Sequence, residues 1–176
     1  LDMVNELLDV ATIESGELKL DVKPHNLGEL VAKSVALTNM EAAKKKTHVT
    51  FAPPPTPITP SIDPAKMKQV IDNLLSNAVK YSPPGSAITV LAGTDASLGI
   101  CSVAVRDQGP GIPDSERDKL FKDFGRLSSK PTGGEKSTGL GLAIVRKIVE
   151  AHHGTIIAEN LPNRGCEFRF TLPLSA

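Results

Sequence analysis

The 176-residue chain has no tryptophan, one tyrosine, two cysteines and no surplus of either charge, its 20 basic residues being matched by 20 acidic ones. Balanced charge removes the global field that would favour nucleic acid or an anionic membrane. Cys101 and Cys166 lack metal-ligand spacing and sit in apolar alternating segments, so they read as reduced, buried thiols of a cytoplasmic domain. No apolar run approaches the roughly 20 residues of a membrane span, and no signal-peptide pattern opens the chain. Internal repeats are absent as well. What remains suits one compact domain with a sizeable core and a small appendage. The chain opens at Leu1 in mid-pattern, so we expect a piece of a longer protein, whose full length could be anchored in the inner membrane by an upstream segment.

What is there concentrates in Asn73 to Ser82, NLLSNAVKYS. From Met67 the apolar positions Met67, Val70, Ile71, Leu74, Leu75, Ala78 and Val79 follow the rhythm of a buried helical face. At about 100° per residue, Asn73, Asn77 and Lys80 fall within roughly 60° of one another, off the centre of that stripe. Asn is a poorer helix former than the Glu, Lys or Gln expected on a helix that merely covers a sheet. Taken alone, the polar stripe fits a solvated face as well as it fits a ligand.

Along the chain, residues 1 to 15 read as a helix with Leu1, Val4, Leu8 and Ala11 on one seam, ending at Ser15-Gly16. That seam suits packing on the domain, or a coiled coil or bundle. An extended piece from Leu18 to Val22 leads through Pro24 to a helix over 27 to 45, closed by Lys44, Lys45 and Lys46, which complement its dipole. Strands are expected at His48 to Phe51 and Ile58 to Ile62, on either side of the stiff stretch PPPTP. Asp63-Pro64 then starts the asparagine-bearing helix with a cap and a proline at the first position. Further strands are expected at Ala87 to Thr94 and Ile100 to Arg106, a short helix from Pro113, a helix from Thr138 to His153, and a final hairpin of Gly154 to Glu159 with Gly165 to Leu172. Hairpins outnumber crossovers. The expected fold is α+β, a two-layer sandwich with about three helices on one face of a mixed, mostly antiparallel sheet of about five strands.

Two glycine-rich segments complete the set. The strand Val103-Ala104-Val105-Arg106 runs into Asp107-Gln108-Gly109-Pro110-Gly111-Ile112, where the glycines let a ligand approach the backbone. A buried Asp there needs hydrogen-bond donors, which an exocyclic amine supplies; read alone, the segment also fits a tight turn with a capping Asp. Thr138-Gly139-Leu140-Gly141-Leu142 opens a helix whose first amides form an anion site suited to phosphates. It is not a dinucleotide fingerprint, because position 144 is isoleucine and a polar loop precedes it. Nor is GEKST a P-loop, because glutamate holds the required glycine position. Between the two segments lies a long irregular stretch with Phe121, Phe124 and Arg126, read as apolar anchors followed by a mobile polar loop.

Asn73-x-x-x-Asn77-x-x-Lys80-Tyr81, Asp107-x-Gly109-x-Gly111, Phe121-x-x-Phe124 and Gly139-x-Gly141 occur in that order. In that order they resemble the four sequence boxes of the catalytic ATP-binding domain of sensor histidine kinases. The resemblance covers nearly the whole chain and implies a Bergerat-type ATP-binding fold over 25–176, with a lid at about 112–138. Residues 1–16 then look like the end of a dimerisation helix and 17–24 like a linker. The resemblance further implies ATP and Mg²⁺ as cofactors. Asn77 would ligate the metal, and Asn73 and Lys80 would contact phosphates or metal-bound waters. Tyr81 would pack against the nucleotide, Asp107 would accept the adenine amino proton, and Gly109, Gly111 and Ile112 would line the base. Arg126 would reach the terminal phosphates, and the amides from Thr138 through Gly139, Leu140 and Gly141 to Leu142 would hold the phosphate chain. Asn73 and Arg126 are the implied catalytic residues for transfer of the γ-phosphoryl group to a histidine. The implied partners are a dimerisation domain that carries this histidine and a response regulator.

Ser137 stands where the second glycine box usually opens with glycine, and Gly125 where an aromatic often follows the second phenylalanine. His25, His48, His152 and His153 all lack the acidic neighbour and downstream proline of a phosphoacceptor. Hydrolysing ATPases of the same fold type carry glutamate at the position of Asn73, and a carboxamide cannot act as that base. A serine kinase of the anti-sigma-factor type and a non-catalytic nucleotide-binding module remain as alternatives.

Overall fold

In a computed structural model, the structure describes residues 4, 7–8, 11–12, 15, 18–122, 125, 128, 130–134 and 139–175. Residues 4, 7, 8, 11 and 12 are helical, with Val4, Leu7 and Leu8 exposed. Lys23–Pro24 (β1) pairs antiparallel with Ser61–Ile62 (β3) as a small separate sheet. The expected strand from Ile58 shrinks to these last two residues. Pro60 has no N–H to give to a ladder. Ile58 is nevertheless buried, and its carbonyl accepts the Leu27 amide at 2.9 Å.

Helix α1 (Leu27–Ala42) is capped by Asn26, whose side chain accepts from the Glu29 amide, and ends in a 3-10 turn, Ala43–Lys45. Helix α2 (Pro64–Tyr81) starts as the sequence reads: Asp63 accepts from the amides of Ala65 at 3.0 Å and Lys66 at 3.1 Å. The other Asp63 oxygen takes the Asp21 amide at 3.0 Å, tying the chain before β1 to the helix start. Burial works to raise the Asp63 carboxyl, but amide hydrogen bonds from Lys66, Asp21 and Ala65 outweigh it and hold the group below its usual range.

The main sheet has five strands in the order β2-β4-β5-β7-β6: His48–Phe51, Ala87–Asp95, Ile100–Arg106, Cys166–Pro173 and Thr155–Asn160. Among the described strands only β2 and β4 run parallel. Alternation puts Val90, Val105 and Phe168 in one cross-strand row of the core. Against that face pack Met67, Val70, Ile71, Leu74 and Leu75 of α2, with Ile144, Val145 and Ile148 of helix α3 (Gly141–Ala151). Each such side chain contributes roughly 1.5–3 kcal/mol on burial. Among the described residues, helices α1, α2 and α3 with a mixed, mostly antiparallel five-stranded sheet make the α+β fold expected.

Helix α3 begins three residues later than the sequence pattern suggests. Gly139 sits at φ 78°, a left-handed conformation incompatible with a helical turn, so the helix opens only at Gly141. At its other end His152 is buried. Its Nδ1–H donates to the Ile148 carbonyl at 2.7 Å and its Nε2 accepts the Asp63 amide at 3.0 Å. This imidazole locks the end of α3 to the start of α2, which sets the two helices that carry the polar sites.

Candidate functional site

The polar face of α2 is partly open to solvent. Asn73, Asn77, Lys80 and Tyr81 are all half-buried, while Met67, Val70, Ile71, Leu74, Leu75 and Ala78 on the opposite face are buried in the core. Among the described residues, no side-chain hydrogen bond occupies Asn73, Asn77 or Lys80. The C-terminal end of the helix is held firmly. Lys45 Nζ donates to the carbonyls of Val79 at 2.7 Å and Lys80 at 3.0 Å. Thr132 donates its amide to the Lys80 carbonyl at 2.9 Å and its hydroxyl to the Ser82 carbonyl at 2.6 Å. Carbonyls that a helix leaves without partners are thereby satisfied. The lysine cluster expected to serve α1's own dipole thus reaches, through Lys45, to the neighbouring helix, while Lys44 pairs with Glu41 at 2.6 Å.

Beyond that end lies the loop from Asp107 to Ile112. Asp107 is only 5% exposed. Its Oδ1 accepts the amides of Gly109 at 2.8 Å and Cys166 at 3.2 Å, and its Oδ2 accepts the Cys166 thiol at 3.0 Å. Burial, and then the negative charge of Asp107, push the Cys166 thiol far up, so it stays protonated and acts as a donor. Gly109 is packed so closely that a Cβ would lie 3.0 Å from the Tyr81 carbonyl oxygen. Gly111 holds φ 80°, and a Cβ on it would lie 2.9 Å from Asn160 Oδ1. Asn160 in turn accepts the Ile112 amide at 2.8 Å and donates to the Ile112 carbonyl at 2.9 Å.

The second glycine pair comes to the same helix from the other side. A Cβ on Gly141 would lie 3.5 Å from Asn73 Oδ1, so the start of α3 faces the first asparagine of the stripe. Leu140 is buried and Gly141 opens the helix, whose first-turn amides have no acceptor within it. Tyr81 and Asn73 are eight residues apart, about 12 Å along the axis at 1.5 Å per residue. A carboxylate fit for an amine therefore stands near the Tyr81 end of this face, and a helix start fit for phosphate beside Asn73. An extended nucleoside triphosphate has this layout.

The structure thus brings Tyr81, Asp107 and Gly109 together, and Asn73 with Gly141, while Lys80 is tied by its carbonyl to Thr132. Phe121 anchors the segment between the glycine boxes, standing edge-on to Phe168 with ring centroids 6.3 Å apart. Phe124, Arg126 and Thr138 lie outside the described residues. Asn160 and Thr132 escape the reading of the sequence, as does the reach of Lys45 to α2. Asn160 precedes Leu161-Pro162-Asn163 and looks like an ordinary turn residue; only its partner 48 positions away reveals it.

Comparison with known proteins follows the same line. Residues 62–176 match the family model described as "Histidine kinase-, DNA gyrase B-, and HSP90-like ATPase". The hybrid signal transduction histidine kinase D of Dictyostelium discoideum is 35% identical over 178 residues, covering 99% of this chain and 12% of the relative. The sensor histidine kinase WalK of Bacillus subtilis is 33% identical over 173 residues, covering 97% of this chain and 28% of the relative. The chain therefore spans between about an eighth and under a third of these two relatives. Among solved structures, full-length ShkA in complex with AMPPNP aligns with a TM-score of 0.83 at 27% identity, covering 98% of this chain and 35% of that one. The mycobacterial sensor histidine kinase MprB aligns with a TM-score of 0.74 at 30% identity, covering 86% of this chain and 97% of that one.

Proposed function

This chain belongs to the histidine kinase-, DNA gyrase B-, and HSP90-like ATPase family, and on that premise we propose that it is the ATP-binding catalytic domain of a sensor histidine kinase. The observation that carries the reading is the carboxamide of Asn73 set against the start of α3, with no carboxylate in its place. In this reading adenine lies between Tyr81 and the loop of Asp107, Gly109, Gly111 and Ile112. Asp107 retains acceptor capacity on Oδ2, where a purine amino group adds to the thiol. Guanine presents a carbonyl oxygen at that point and is repelled.

Asn73, Lys80, Arg126 and the amides of Thr138, Gly139, Leu140, Gly141 and Leu142 receive the phosphates. Among the described residues no group of three or more His, Cys, Asp or Glu side chains could hold a metal by itself. The donor set fits Mg²⁺ nonetheless, since that ion keeps waters and phosphate oxygens and needs few protein ligands. Asn77 would hold it through its amide oxygen. When bound, the ion neutralises phosphate charge. This chain's own residues orient the γ-phosphorus and exclude a base that could activate water.

The proposed reaction breaks the bond from the γ-phosphorus to its bridging oxygen and forms one to an imidazole nitrogen. ADP leaves, and the imidazole's other N–H proton passes to solvent. The acceptor histidine belongs to a dimerisation domain, of which residues 1–16 are the end and 17–24 the linker, with residues 25–176 as the catalytic domain and 112–138 as its lid. The exposed Val4, Leu7 and Leu8 supply the apolar seam such a helix needs. A response regulator would take the phosphoryl group onward, and the domain would work in the cytoplasm, where ATP is; no described helix is long and apolar enough to cross a membrane. The test mixes this chain with a separate dimerisation domain and ATP labelled at the γ-position. Acid-labile label on the acceptor is the expected result. Binding of ATP without transfer would favour a binding-only module, and alkali-labile label on serine an anti-sigma-factor-type kinase.

A further inference from the structure

The base loop is held at both of its ends by one rung of the sheet. Asn160 and Cys166 face one another as the last pair of the β6–β7 ladder, at the mouth of the final hairpin. Cys166 takes the first end: its carbonyl accepts the Asp107 amide at 3.0 Å, and its amide and thiol both donate to the Asp107 carboxylate. Asn160 takes the other end through paired bonds to the Ile112 amide and carbonyl. Gly165, inside the hairpin, packs so tightly that a Cβ would lie 1.9 Å from the Asp107 carbonyl oxygen.

We infer that Asn160 is a positioning residue for nucleotide binding: with Cys166 across the rung, it sets the shape of the loop that reads the base. The inference rests on the ATP-binding reading of that loop. Its physical content is complementarity. A primary amide offers an acceptor and a donor side by side, which is what the N–H and C=O of a single residue, Ile112, require when both are bonded by one partner. Gly111 is part of the device, because any side chain there would collide with the amide. Asn160 is not placed to touch the base. It acts through Ile112 and Gly111, by denying the loop other shapes and so lowering the ordering cost of binding.

The test uses Asn160→Ala and Asn160→Asp in the whole chain. Hydrogen exchange at the Ile112 amide, without nucleotide, reads the clamp directly; ATP affinity reads its consequence. Asn160→Ala should speed exchange at Ile112 and weaken ATP about tenfold, the scale of one or two lost hydrogen bonds. Asn160→Asp adds a pH signature. Ionised, it keeps the bond from the Ile112 amide but sets oxygen against the Ile112 carbonyl; protonated, it can donate there again. Its affinity deficit against wild type should therefore be large at neutral pH and shrink as pH falls towards the carboxyl pKa of about 4. Asp107, Cys166, Glu159, Glu167 and Arg164, the charged or titratable groups around this rung, are common to both proteins and cancel in the ratio. Unchanged exchange at Ile112, or faster exchange with affinity within twofold of wild type at every pH, would overturn the inference. If wild-type protein bound no adenine nucleotide, the functional reading would fall, and exchange at Ile112 would still decide the clamp.

Discussion

The two ends of the polar face of α2 are built on opposite plans. At the base end Asp107, Gly109, Ile112, Asn160 and Cys166 bond one another through strands that meet only in the folded sheet. At the phosphate end, Asn73 and Asn77 present amides without protein partners among the described residues, and α3 presents a helix start. One end is shaped by the protein's own bonds; the other, in the proposed function, would be completed by a ligand. Rigid, redundant bonding suits discrimination between bases, where misplaced groups cost affinity. Unsatisfied donors suit a phosphate chain, whose charge and position change during reaction.

Substitutions at glycine separate the two plans most sharply. Gly165→Ala should cost roughly 3 kcal/mol of stability, since its Cβ would meet the Asp107 carbonyl oxygen at 1.9 Å and its φ is 89°. Thermal unfolding checks this, and an unchanged midpoint would mean that the base end is not tightly built. Asp107→Asn should come next. It puts an amide donor or a weaker acceptor against the Gly109 and Cys166 amides, and calorimetry should show ATP affinity reduced by about 2 kcal/mol or more. Gly141→Ala should invert the pattern. Its Cβ meets only Asn73 Oδ1 at 3.5 Å, an ordinary contact. Stability should stay within about 0.5 kcal/mol of wild type while ATP affinity falls. An affinity equal to wild type would deny the phosphate role of this helix start.

Asn77→Ala should remove the part of ATP affinity that depends on Mg²⁺ and leave the remainder, as titrations with and without the ion would show. The smallest effect belongs to the Cys166 thiol, whose pKa is raised by burial and by Asp107. For a group that holds its proton more tightly when folded, the stabilisation is complete below the free-thiol pKa of about 8.5 and is lost as pH rises beyond it. Native protein should thus resist thiol reagents at neutral pH and weaken only in alkali.

The same contrast explains what could be read without coordinates. Helix α2 was legible from Asp63 to Tyr81 because its cap, its proline and its apolar period are all local. The two glycine boxes were legible as motifs. Their supports were not: Asn160 answers to Ile112 and Cys166 to Asp107 across 48 and 59 positions, and no local pattern encodes such pairs. The start of α3 is not legible, because the backbone at Gly139 turns left-handed just before the helix. The sequence places Lys45 with the nearer helix, and only packing shows that α2's carbonyls lie within its reach.

The central claim is that Asn73 makes this a site that passes phosphoryl groups to a side chain and not to water. Phosphate release from ATP by this chain alone, at saturating nucleotide and Mg²⁺, tests it most directly. The account predicts tight binding with no sustained hydrolysis. Steady multiple turnover to ADP and free phosphate, without any acceptor domain, would contradict it.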